Sequence, residues 1–137
     1  MRKVIVMVSI AALVVVASGC GGGKYDDAKE ALNTQYDMMS DFAVGVENAK
    51  DSAAVVVVLE KFQKTAEGAK EQMMAIAEKY PEMKNNENPP EELQEAIKKM
   101  DDVGPKFMGA MMKIAQTYGD DPAVQEALQK MQKALQP

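Results

Sequence analysis

Ten methionines follow residue 19 in this 137-residue chain, and they are its most conspicuous chemical excess. Three of them, Met108, Met111 and Met112, stand at i, i+3 and i, i+4 spacing, which on a helix makes them neighbours. Thioethers are soft ligands for Cu(I), so these three are the candidate metal ligands. The competing role is volume filling, for which a flexible thioether is well suited, and Met73, Met100, Met111 and Met131 lie on the apolar seams described below. Met74 and Met112 stand one position off those seams, at their margin, and are the candidate partner-binding residues.

Four acidic pairs, Asp26-Asp27, Glu91-Glu92, Asp101-Asp102 and Asp120-Asp121, have the residue types for proton sharing or calcium binding. Each lies at an expected helix start, or beside Pro105, where a carboxylate stabilises the positive end of the helix dipole. No EF-hand pattern accompanies them. The four tyrosines, Tyr25, Tyr36, Tyr80 and Tyr118, have no nucleophile, phosphate loop or cofactor fingerprint beside them, so packing at helix ends is the expected role. There is no His, which removes imidazole acid–base chemistry and His-ligated metals. No catalytic residue is assigned, no cofactor or small-molecule substrate is indicated, and the reading is non-enzymatic.

Charge narrows the partners further. Arg2 and Lys3 lie in the first segment and all 21 acids lie after it, so the remainder carries 14 cations, all Lys, and a formal charge of −7. Without Arg it lacks the planar fork that reads phosphates and guanine edges, and nucleic acid is not an expected partner.

Apolar spacing sets the architecture. In the segment 51–80, Val55, Leu59, Phe62, Ala66, Ala69, Met73, Ile76 and Tyr80 alternate at four and three residues, a heptad seam that overrides the strand preference of Val55–Val58. The next segment repeats this 38 residues later at Leu93, Ile97, Met100, Gly104, Phe107, Met111, Ile114 and Tyr118. Duplication and chance similarity of two Ala- and Met-rich helices both account for the likeness. A first segment from about Asp26 to Ala49 carries Leu32, Tyr36, Met39, Ala43 and Val46, and a short last one carries Val124, Leu128, Met131 and Leu135.

Pro81, the polar run 84–90 and Gly119-Asp120-Asp121-Pro122 separate these segments, with Asp121 as N-cap before Pro122. The turn near Asn48–Ser52 has no Gly or Pro to mark it. Because the third seam stays in phase, Gly104-Pro105 predicts a kink rather than a break, with Asp102 available to cap a second half. The expected fold is all-α: an antiparallel up-down bundle of four helices, the third kinked at Gly104-Pro105 and the fourth short. The short fourth helix leaves part of the groove with three helices around it, the first place to look for a partner or dimer surface.

The amino-terminal segment indicates location. Arg2 and Lys3 precede an apolar run, Val4–Val16, too short for an ordinary membrane span, and small residues follow it. Ser18-Gly19-Cys20, with Ala17 where Leu is more usual, resembles the lipobox of bacterial lipoproteins. The resemblance covers only this segment. It implies that residues 1–19 are a signal peptide, that Cys20 receives a covalent lipid with fatty acyl chains such as palmitate, and that residues 20–24 form a Gly-rich tether to a helical domain at 25–137. It further implies the cell envelope. Gly21 in place of a retention signal favours the outer membrane, facing the periplasm, in a diderm host, and a single-membrane host would carry the domain on the outer face of its cell membrane. The expected function is a lipid-anchored helical envelope protein that binds a protein partner through an apolar Met/Ala-rich surface. Alternatives are a tethered periplasmic chaperone, a Met-based Cu(I) handling protein, and a structural spacer that associates with itself.

Overall fold

The computed structural model describes residues 23–84 and 89–135. The signal segment, Cys20 and the start of the tether lie outside the described residues. Four helices make up the domain: α1 (Asp26–Asn48), α2 (Ser52–Lys79), α3 (Glu91–Tyr118) and α4 (Pro122–Leu135), with a 3-10 turn at Pro81–Lys84 after α2. The architecture is an all-α bundle with a short fourth helix, and no strand occurs among the described residues.

The helix ends follow from local chemistry. Asp51 starts α2 by accepting a hydrogen bond from the Ala54 amide at 2.8 Å, a cap that makes the turn without Gly or Pro. Asp121 does the same for α4, accepting from the amides of Ala123 (2.9 Å) and Val124 (3.4 Å), with Pro122 as its first residue. The Asp121 carboxyl is lowered below its ordinary value, first by the Ser52 hydroxyl and then by these amides, which ties the starts of α2 and α4 together. The last turn of α1 has no basic residue of its own. Lys113 of α3 reaches across to the carbonyls of Val46 and Glu47, at 3.2 Å each, and supplies the missing charge.

α3 runs through Pro105 as one helix of 28 residues. Pro105 withholds a donor from the carbonyl of Asp101, but both residues are exposed, so that carbonyl is not sealed in the core. With no break there is no second half for Asp102 to cap.

The chain alternates up and down, yet its closest neighbours are not all sequential. α1 packs on α2, α1 also packs on α3, and α2 packs on α4. The pairs α1/α3 and α2/α4 run parallel. Leu93 at the start of α3 shares a cluster with Ala28 and Ala31 at the start of α1, while Ile114 near its end joins Val46 near the end of α1. The core is correspondingly in two parts. The larger contains Phe42, Val46, Val55, Leu59, Phe62, Ile114, Val124 and Met131; the smaller contains Ala28, Ala31, Ile76, Tyr80 and Leu93.

All three phenylalanines of the chain meet in the larger part. Phe42 lies 4.9 Å from both Phe62 and Phe107, and Phe62 lies 5.3 Å from Phe107, between ring centroids. Such tilted and edge contacts add to the stabilisation from burial. At Gly45 the first two helices approach so closely that an added Cβ would stand 2.9 Å from a Val58 methyl, whereas one added at Gly104 would meet nothing within 4 Å.

These contacts set three stability outcomes in urea denaturation. Phe42→Ala is expected to lower stability by about 3 kcal/mol or more, because it empties the centre of the ring contact. Gly45→Ala is expected to destabilise by about 1 kcal/mol, since overpacking against stiff, β-branched Val58 exceeds the helix-propensity gain. Gly104→Ala should do the opposite, raising stability by about 0.5–1 kcal/mol. A loss of stability at Gly104 would show that something fills the space beside it.

Candidate functional site

α4 has 14 residues against 28 in α2, and it starts beside the start of α2. At 1.5 Å per residue it covers about 21 Å of a helix about 42 Å long. Beyond Leu135, half-exposed on its last turn, α2 and α3 continue with only α1 beneath them among the described residues. A groove of ≈ 390 Å³ opens there, with Leu32 of α1 in its floor, Met73 of α2 on one wall and Leu93 and Ile97 of α3 on the other. Met83 and the prolines Pro89 and Pro90 border one end, and Asp101 is the one charged lining residue among the described residues. All its apolar residues except fully buried Leu93 keep some surface.

Two other clefts are more polar. One of ≈ 290 Å³ between α1 and α2 is bordered by Asp37, Asp41 and Lys61, and the Asp41–Lys61 ion pair spans it at 3.2 Å. The other, ≈ 430 Å³ between α1 and α3, is bordered by Glu47, Lys106 and Lys113, the last engaged with the end of α1. The groove beyond α4 is the one built from apolar walls.

The residues singled out by sequence fall in different places. Met74 is 59 % exposed and follows Met73, about 100° further round α2, and it is not itself among the residues lining the groove. Met112, 58 % exposed, lies close to Ile114 and so belongs to the opposite end of the bundle. The two are roughly 20 Å apart along the axis, and they do not form one surface. Met108, 60 % exposed, and Met112 share the outward face of α3, while Met111 is turned toward the larger core and packs on it. The three thioethers are thus divided between solvent and core. No group of three or more His, Cys, Asp or Glu side chains placed to hold a metal occurs among the described residues.

The acidic pairs are also divided. Asp26-Asp27 and Glu91-Glu92 occupy first turns, Asp121 caps α4, and Asp101-Asp102 lie in mid-helix. Asp27 has a further role that spacing did not indicate. Its carboxylate pairs with Lys79 at the end of α2 and accepts from the Tyr80 hydroxyl at 2.7 Å, a hydroxyl that also reaches the Lys24 carbonyl at 2.6 Å. Tyr25 stacks on Tyr80 with centroids 5.1 Å apart, and Lys24 pairs with Glu82 at 3.0 Å. These contacts strap residues 24–27 onto the end of α2, immediately beside the proline-bordered end of the groove. Lys79 holds the Asp27 carboxyl below its ordinary value, with help from Tyr80 and the Ala28 amide, and Asp27 in turn raises Tyr80 and Lys79.

No known family model, curated protein or solved structure matches the chain. No helix among the described residues is long and apolar enough to cross a membrane.

The strap has a defined pH signature. Because the folded-state pKa of Asp27 lies below its unfolded value, the pair stabilises fully above the ordinary carboxylate range and loses that contribution as pH falls through the folded value. Asp27→Asn is therefore expected to be the less stable protein at pH 7 and to converge with wild type on acidification, as read by thermal unfolding at stepped pH. A constant difference down to pH 2 would mean that the ion pair with Lys79 contributes nothing.

Proposed function

We propose that the protein is a non-enzymatic, lipid-anchored module of the cell envelope that holds a protein partner through the apolar groove between α2 and α3. The observation that carries this reading is the groove itself: apolar walls left without a fourth helix where α4 stops. An amphipathic helix laid over it would place one row of its side chains between Met73 and Ile97, the helix-in-groove mode of peptide recognition. Met73 and Met83 suit such a seat, because thioether side chains adjust to irregular surfaces. The anchor proposed at Cys20 keeps this groove at the membrane-proximal end of the domain, since the strap at residues 24–27 lies beside it.

In-cell crosslinking of the full chain, followed by mass spectrometry of the captured species, tests the proposal. Met74→Lys, next to Met73 of the groove wall, is expected to reduce capture of the partner about tenfold, the scale of one lost apolar contact. Met112→Lys, at the far end, should leave capture unchanged, and both variants should keep wild-type helicity by circular dichroism. Loss with Met112→Lys and retention with Met74→Lys would move the binding surface to the outward face of α3. Capture of many unrelated clients would indicate a tethered chaperone, and self-crosslinks alone a structural oligomer.

A further inference from the structure

We infer that the groove is the seat of a fatty acyl chain carried by Cys20, which covers its apolar walls while no partner is bound. This rests on the lipid-anchored reading above and assigns the groove a resting occupant.

The first argument is where the described chain begins. Gly23 is held at the start of α1, its carbonyl accepting from the Asp26 amide at 3.2 Å. A Cβ built on it would stand 3.4 Å from a carboxylate oxygen of Glu92, the residue that precedes Leu93 of the groove wall. The strap fixes the next residues, through the Lys24 carbonyl to Tyr80 and the Tyr25 ring to Tyr80. Cys20 is three residues before Gly23, so it lies within about 10 Å of that point. A group on Cys20 is thereby restricted to the neighbourhood of the groove's proline-bordered end, at the millimolar effective concentration typical of a short tether.

The second argument is size and chemistry. From Pro90 to Asp101 the groove follows α3 for about 17 Å. A helix of about 10 Å diameter would rest along the open side of the groove with only one row of its side chains entering it. A space of ≈ 390 Å³ is in the range of small-ligand sites, and a single unbranched alkyl chain fits its narrow course. Leu32, Met73, Met83, Leu93 and Ile97 offer such a chain no hydrogen-bonding group, and the thioethers adapt to its bends. Asp101, the charged lining residue, stands ten or more residues along α3 from the tether end, where the chain would terminate.

The test uses the full chain, produced in cells fed a diazirine-bearing fatty acid and then irradiated. Intact mass reports whether Cys20 is lipidated, and peptide mass spectrometry locates the adducts. The expected result is an intramolecular link from the Cys20 lipid to the tryptic peptides carrying Met73 or Leu93 and Ile97. Ile97→Asp and, separately, Met83→Glu should cut that link at least tenfold with lipidation and helicity retained. A lipidated protein whose links go only to bilayer lipids overturns the inference while leaving the anchor standing. So does a groove adduct with the mass of a free phospholipid, or one joining isotopically distinct copies. An unlipidated Cys20 overturns both this inference and the reading on which it rests.

Discussion

The contact of Phe42, Phe62 and Phe107 is the point at which the bundle passes from four helices to three. It joins α1, α2 and α3 in one set of rings, and Met131 of α4 packs into the same core about one turn before that helix ends. On one side of the rings, Val46, Val55, Ile114 and Val124 are sealed by all four helices. On the other, the small residues Ala28 and Ala31 let α1, α2 and α3 close on one another, and a groove remains along the side that α4 does not reach. A fourth helix of 14 residues thus determines both where the core is complete and where apolar surface is left over.

The helix positions were legible in the sequence, and so was most of the seam of α2: Val55, Leu59, Phe62, Ala66, Ile76 and Tyr80 are buried, while Ala69 and Met73 are only partly so. The seam expected for α1 was less faithful. Of Leu32, Tyr36, Met39, Ala43 and Val46, only Val46 is fully buried, while Ala28, Ala31 and Phe42 carry the core. α1 packs on two neighbours at once, α2 and α3, so its buried arc is not a single stripe. α3 shows a related displacement. Facing α1 in parallel, it buries Leu93 and Ile114 of the expected seam, and between them Ala96, Val103 and Ala110, each next to a residue of that seam. Alanine is a weak hydrophobic signal, yet where two helices approach closely it is the residue that fits. Spacing reports that a helix has an apolar side; which neighbour it turns that side toward depends on pairings between segments far apart in sequence.

The same distinction governs the site. That a groove would open beside a short α4 followed from segment lengths alone. The pairing of Met74 with Met112 did not survive folding, because the 38-residue likeness relates two successive helices that run antiparallel. Matching positions near the ends of such helices lie at opposite ends of the bundle. The likeness is not matched by packing either, since Ala66 is buried and Gly104, its counterpart, faces open space. The Asp27–Lys79–Tyr80 strap was invisible for another reason: its members are 52 and 53 residues apart, and acids in a first helical turn already have a sufficient local explanation in the dipole.

The strap and the groove constrain one another. A half-exposed apolar groove at the surface carries a standing cost, about 25 cal/mol for each Å² of apolar area left in water, which for these partly buried walls comes to about 2 kcal/mol. Two further turns of α4 would remove that cost within the chain, but Leu135 is already half-exposed at the last described turn. On the lipid-anchored reading proposed above, cover comes from a group that is attached or bound. The strap fixes residues 24–27 against the end of α2, and Gly23, where the described chain begins, stands beside Glu92, next to Leu93 of the groove wall. If the proposed acyl chain occupies the groove, a partner's binding free energy is reduced by the free energy of displacing it.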